Sequence, residues 1–94
     1  MKRMTASRID SISHVYGRQH IDDNLYFEVR KTGRPSWLFR FVAPTGRRRD
    51  MSLGSYPSVT LAGARELASK WRGVVASGED PIEVRNASRE QRRP

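Results

Sequence analysis

The chain has no cysteine and only two histidines among its 94 residues. Disulfide bonds and thiolate-bound metals are therefore excluded. His14 and His20 lie in a segment with little periodicity, so we expect neither a metal nor a cofactor. No apolar run approaches the roughly 20 residues that cross a bilayer. The mixed-charge residues 1–10 also lack the apolar stretch of a secretory signal. We expect no membrane segment and a cytoplasmic location.

The sequence also lacks a recognisable catalytic constellation. Asp22 and Asp23 are adjacent, which suits a turn better than a pair of carboxylates for acid–base chemistry. Tyr16, Tyr26 and Tyr56 fall in three different local contexts, a polar segment, an alternating run and a turn. We therefore expect a non-catalytic domain without a small-molecule ligand.

Positive charge is abundant and unevenly distributed. The net charge is +8 and the pI is near 11.0. Between Glu28 and Asp50, seven basic residues stand against two acidic ones, a local balance of +5, whereas residues 51–84 are close to neutral. Such asymmetry is the electrostatic footprint of a surface that contacts phosphates. A polyanion is the leading class of partner.

Periodicity predicts an α+β fold in residues 24–84, with an antiparallel meander packed on one helix. Alternating apolar residues and Gly-containing loops predict strands over residues 25–30, 36–42 and 48–53. Apolar residues at three- and four-residue spacing predict a helix over residues 61–77, with Thr60 as its N-cap.

The two ends are predicted to contribute less. Residues 1–23 are polar and partly ordered, with one short helical turn formed by Ile9, Ile12 and Val15. Residues 85–94 have almost nothing to bury and read as a basic linker. Pro81 prevents continuation of the predicted helix.

The alternation assigns the two faces of the sheet different roles. Trp37, Phe39 and Phe41 share the parity of Leu25, Phe27 and Val29, which predicts a core against the helix. The opposite face is predicted to be uncovered and to carry Tyr26, Glu28, Arg30, Leu38, Arg40, Arg48, Asp50 and Ser52.

The uncovered face and its hairpin loops hold the candidate DNA contacts. These are Tyr26, Glu28, Arg30, Lys31, Arg34, Arg40, Arg47, Arg48 and Arg49. Arg30, Arg40 and Arg48 are the leading candidates, because they share one face on adjacent strands. Two alternatives stay open: Arg40 can pair with Glu28 or Asp50 instead, and Tyr26 can simply cover the sheet.

The order of several short motifs resembles a known family. Ser36-Trp37, Phe39-Arg40-Phe41, Leu53-Gly54-Ser55-Tyr56-Pro57 and Asp80-Pro81 stand in the same succession as in the N-terminal arm-type DNA-binding domain of P4-like phage integrases, which are tyrosine recombinases. The resemblance covers roughly residues 4–84. Gly63 departs from it, because the family usually has Glu there.

The resemblance implies a three-stranded sheet that enters the major groove of arm-type repeats in attachment-site DNA. It also implies that residues 85–94 lead to core-binding and catalytic domains, which supply contacts to other integrase subunits, and that the protein acts at the bacterial nucleoid. Two other classes remain open. One is a non-specific nucleic-acid-binding module, and the other is a protein-interaction module of a recombinase assembly.

Overall fold

A computed structural model describes residues 4–92, which form an α+β fold with one antiparallel sheet. The elements follow the order α1 (Ala6–Ile12), β1 (Gly17–Asp22), β2 (Leu25–Val29), β3 (Ser36–Val42), β4 (Arg48–Ser55), α2 (Leu61–Ala76) and α3 (Pro81–Arg92). The four strands form a meander in the order β1-β2-β3-β4, so β1 and β4 are its edges.

The central strands and the long helix confirm the sequence prediction. Strand β3 has the predicted bounds, and β2 and β4 differ from theirs by one or two residues. Helix α2 begins at Leu61, where the Thr60 side chain accepts a hydrogen bond from the Gly63 amide at 3.1 Å. This cap satisfies one of the amides that a helix N-terminus leaves without a partner.

The prediction of three strands is wrong, because β1 adds a fourth strand beside β2. Of Asp22 and Asp23, which suit a turn in the sequence, only Asp23 lies in one, together with Asn24, and Asp22 ends β1. Strand β1 buries a single apolar side chain, Ile21, and is held mainly by its backbone pairing with β2. An edge strand of this kind has little apolar alternation, which is the signal that identifies strands in a sequence.

The prediction of one C-terminal helix followed by a basic tail is also wrong, because α3 (Pro81–Arg92) follows α2. That residues 85–94 lead to further domains stays a prediction. Pro81 separates two helices instead of ending helical structure. Proline is well suited to the first turn of a helix, where its missing N–H is not needed. Asp80 caps α3 by accepting a hydrogen bond from the Ile82 amide at 2.8 Å. Residues 1–3 and 93–94 of the predicted terminal segments lie outside the described residues.

All three helices pack on the same face of the sheet. The core joins the aromatic side chains of β2 and β3 to α2, and it includes Trp71 as predicted. Helix α1 contributes Ile9, which is fully buried, while Val15 lies outside the core and is 51% exposed. The Trp37 indole N–H donates to the Val59 carbonyl at 2.7 Å and fixes the turn before α2. One face of the sheet is therefore fully used for folding.

Gly54 provides a test of how closely this turn packs on the sheet. Its φ is +125°, and a Cβ at this position would lie 2.6 Å from Cγ2 of Val59. We expect Gly54→Ala to lower the free energy of unfolding by about 2–3 kcal/mol, measured by urea denaturation.

Gly73, in α2, is the matched control. A Cβ there meets nothing within 4 Å. We expect Gly73→Ala to raise stability by roughly 0.5–1 kcal/mol, because alanine favours the helix. Equal effects of the two substitutions would contradict the tight packing at Gly54.

Candidate nucleic-acid interface

The face of the sheet opposite the helices is polar and positively charged. Pairing between strands aligns its side chains, since Arg18 lies opposite Glu28 and His20 lies opposite Tyr26. On β3 and β4, Arg40 lies opposite Asp50. We refer to the following residues as the exposed sheet face: Arg18, His20, Tyr26, Glu28, Arg30, Leu38, Arg40, Arg48, Asp50 and Ser52. This set contains every residue predicted for the uncovered face, together with two from β1.

A chain of ion pairs crosses the exposed sheet face, with Arg18 at its centre. Arg18 donates from Nη2 to Glu28 Oε2 at 2.9 Å and from Nη1 to Asp50 Oδ2 at 3.1 Å. At one end, Arg30 Nη2 lies 2.8 Å from Glu28 Oε1. At the other end, Arg40 Nε lies 2.9 Å from Asp50 Oδ1. Three guanidiniums therefore share two carboxylates, which leaves the chain of pairs positively charged and each arginine oriented.

The electrostatics of both carboxylates follow from this arrangement. The hydrogen bond from Arg18 lowers the pKa of Glu28 despite the opposing effect of burial, and Arg30 lowers it further. The hydrogen bond from Arg40 similarly lowers the pKa of Asp50, again against burial, with a smaller contribution from Arg18. Both groups are therefore ionised at neutral pH and hold the arginines in place.

Leu38 is covered although it lies on the exposed sheet face. It is only 8% exposed and stands outside the core cluster formed by the other face. Its cross-strand neighbours on this face are Tyr26 of β2 and Ser52 of β4. The stems of long charged side chains can also cover apolar surface.

Arg40 pairs with Asp50, one of the two acidic residues that the sequence offered it, and it also lines an open cleft. It pairs with Asp50 through Nε, and its Cζ lies 5.0 Å from the centre of the Tyr26 ring. On β1, the His20 ring lies 5.0 Å from the Tyr26 ring, centre to centre. Tyr26 and Arg40 also line a shallow cleft of about 260 Å³, together with Val42 and Arg48. The pairing with Asp50 therefore orients Arg40 at the wall of an open cleft.

The other basic candidates lie at both ends of the exposed sheet face. Lys31 and Arg34 are exposed in the β2–β3 loop, and Arg47 is exposed in the β3–β4 loop. Consecutive loops of a meander lie at opposite ends of its sheet, so these cations extend the positive surface in both directions along the strands. Arg48, which is exposed at the start of β4, lies next to the second loop.

Arg49 lies opposite buried Phe41 and so faces the helix side of the sheet, although it borders Arg47 and Arg48 in one cleft. Its Nη1 lies 2.8 Å from Asp80 Oδ2 and 3.6 Å from Glu83 Oε1. Burial would raise the pKa of Asp80, but hydrogen bonds from Arg49 and the Ile82 amide hold it below its usual value. Arg49 therefore fixes the start of α3, and its contact with DNA stays a prediction.

Sequence reasoning missed Arg18 and His20. Both belong to β1, and the segment from Gly17 to Asp22 shows a weak alternation in which Gln19 and Ile21 face the helices. That weak alternation was the signal in the sequence from which β1 could have been predicted. The described residues contain no cluster of three or more His, Asp or Glu side chains that could hold a metal. Within the same part of the chain, no helix has the length and apolarity to span a membrane.

The central position of Arg18 predicts a pH dependence. Glu28 and Asp50 have lowered pKa values in the folded state, so they stabilise it above their unfolded pKa values, near 4, and this stabilisation is lost as pH falls further. We expect Arg18→Gln to reduce the difference in unfolding free energy between pH 6 and pH 3, measured by urea denaturation. Arg8→Gln, on α1, is the control and should keep the full difference. An unchanged pH dependence in Arg18→Gln would contradict the network.

Comparison with known proteins agrees with this geometry. A family model described as the arm DNA-binding domain matches residues 4–88. Prophage integrase IntA of Escherichia coli K12 is 36% identical over 62 residues, which cover 65% of this chain and 15% of that protein. The integrase of Shigella phage Sf6 is 33% identical over 69 residues, covering 72% of this chain and 18% of its own length.

The integrase of Enterobacteria phage P4 is 32% identical over 66 residues, covering 69% of this chain and 15% of its own length. The chain thus matches less than a fifth of the length of each of these integrases. The family model, by contrast, spans nearly all of the chain. The chain belongs to the family of arm DNA-binding domains.

Proposed function

We propose that the exposed sheet face binds duplex DNA by entering the major groove. The observation that carries this proposal is a sheet face left open by the helices, on which three arginines are oriented by two shared carboxylates. A major groove about 12 Å wide admits a two-stranded β-ribbon, and arginine is the side chain best suited to guanine edges. Orientation before binding reduces the entropy lost when these side chains engage DNA.

The structure supports different roles for the candidate residues. Arg40 and Arg48 line the same cleft as Tyr26, so we assign them to base edges and Tyr26 to a deoxyribose or phosphate. The exposed cations of the two loops suit phosphates, which position the protein without reading sequence. Glu28 acts indirectly, as the acceptor that orients Arg18 and Arg30.

The relatives suggest the biological setting. They are integrases of phages and prophages, so we propose that this domain is the DNA-binding, non-catalytic part of a site-specific integrase of the tyrosine recombinase type. Its target would be arm-type repeats of an attachment site, contacted in the bacterial cytoplasm at the nucleoid. Catalysis and contacts between subunits would belong to other domains. Binding through two domains at once would raise the affinity of the whole protein.

Sequence preference is the first property to test. We expect fluorescence anisotropy to show at least about tenfold tighter binding to a duplex with an arm-type repeat than to a scrambled duplex of the same composition. With about four to six phosphates neutralised, affinity should fall by about 10²–10³-fold between 50 and 200 mM salt. Equal affinities for both duplexes would leave a non-specific module, and the repeat recognition proposed here would be wrong.

The contribution of the exposed sheet face is tested by Arg48→Gln. We expect this substitution to weaken binding to the repeat by roughly tenfold at constant salt, because it removes one contact of the cleft. Arg8→Gln removes the same charge from α1, on the helix side, and should have little effect. If Arg48→Gln binds DNA normally while its self-association falls, the face serves protein interaction instead. Thermal unfolding should show that both variants are folded.

A further inference from the structure

Helix α3 brings two arginines to the β4 edge of the sheet. Arg85 and Arg89 are one turn apart, so they share one side of the helix. Arg85 Nη1 donates to the Ser52 carbonyl at 2.9 Å. Both arginines line a groove of about 490 Å³ with Trp71 of α2 and residues of β4, namely Ser52, Leu53 and Gly54. The groove runs between the edge strand and the two helices.

Positive charge in this groove has no counterion among the described side chains. No carboxylate of these residues lies within ion-pair distance of Arg85 or Arg89, whereas Arg18, Arg49 and Arg65 all have one. The buried Nε of Arg85 also lacks a hydrogen-bond acceptor there. Buried polar groups without a partner are rare, and a guanidinium offers donors alone. The groove therefore presents hydrogen-bond donors to an anion, and no carboxylate of the described side chains neutralises its charge.

The environment of Arg85 agrees with this description. Burial lowers the pKa of Arg85, and the nearby charge of Arg89 lowers it further. Two guanidiniums that repel each other are stabilised when an anion lies between them, through charge-assisted hydrogen bonds. A phosphate oxygen has the charge and the acceptors that such a pair requires.

The location of the groove indicates which anion it would meet. Ser52 belongs to the exposed sheet face and β4 is an edge strand, so the groove adjoins the border of the proposed DNA-binding surface. A sheet that enters the major groove has a sugar–phosphate backbone beside each of its edges. Arg49 holds the start of α3 against β4 through Asp80, which sets the register of the arginines that follow.

We propose that Arg85 and Arg89 form a binding site for a backbone phosphate of the DNA at the β4 edge. This inference rests on the proposed function and extends the interface beyond the sheet to α3. The contact would be independent of base sequence, because it is made to the backbone alone. It would also connect the position of α3 to the seating of the sheet on DNA.

Arg89→Gln is the principal test, because Arg89 makes no hydrogen bond to the sheet that the substitution would remove. We expect about 3–10-fold weaker binding to both the repeat and the scrambled duplex, and a salt slope smaller in magnitude by about 0.9. Arg8→Gln removes the same charge from α1 and should leave the salt slope unchanged. Thermal unfolding should be the same in both variants.

A duplex with a single methylphosphonate, moved along each strand in turn, identifies the phosphate. We expect one position at which the neutral group weakens DNA binding by the unsubstituted protein but does not weaken binding by Arg89→Gln any further. If Arg89→Gln matches Arg8→Gln while Arg48→Gln weakens binding, the phosphate site is wrong and the proposed function stands. If Arg48→Gln and Arg89→Gln both bind normally, the proposed function fails as well.

Discussion

One-sided burial of the sheet is the constraint on which the other features depend. The aromatic side chains of β2 and β3 pack against α2, and helices α1 and α3 flank it on the same side. With the helices committed to this core, the opposite face has only its own side chains to cover it. A small domain with a single core has no further layer of secondary structure to cover that face. The open face is therefore free to be polar and to meet a partner.

On this open face, ion pairs order the long charged side chains. Isolated exposed ion pairs contribute little to stability, because two long side chains must be ordered for a modest Coulomb gain. Here Arg18 joins Glu28 and Asp50, so ordering one side chain serves two pairs. The chief consequence is geometric, since Arg30 and Arg40, at the two ends of this row of ion pairs, are held in defined positions. The carboxylates reduce the positive potential locally, and the basic loops restore it at both ends of the strands.

How much the sequence could predict depended on the kind of signal each element carries. Strand β3 and helix α2 were predicted closely, because each has a strong apolar period and a clear cap or turn. Strand β1 was missed because Ile21 is the single apolar side chain that it buries. Helix α3 was missed because Pro81 was interpreted as a helix stop, whereas it is the first residue of a helix that Asp80 caps. The same reason explains the candidate site. Parity placed Arg40 and Arg48 on the exposed sheet face, whereas Arg18 required a strand that the pattern did not show.

Arg49 shows why a run of like charges cannot be interpreted as one surface. Arg47, Arg48 and Arg49 are adjacent in sequence, but the two-residue period of β4 directs neighbouring side chains to opposite faces. Arg48 faces the proposed DNA, while Arg49 binds Asp80 and anchors α3. Consecutive side chains of one strand thus connect the outer face to the helix layer. The same ion pair joins the strand that carries Arg48 to the start of the helix that carries Arg85 and Arg89.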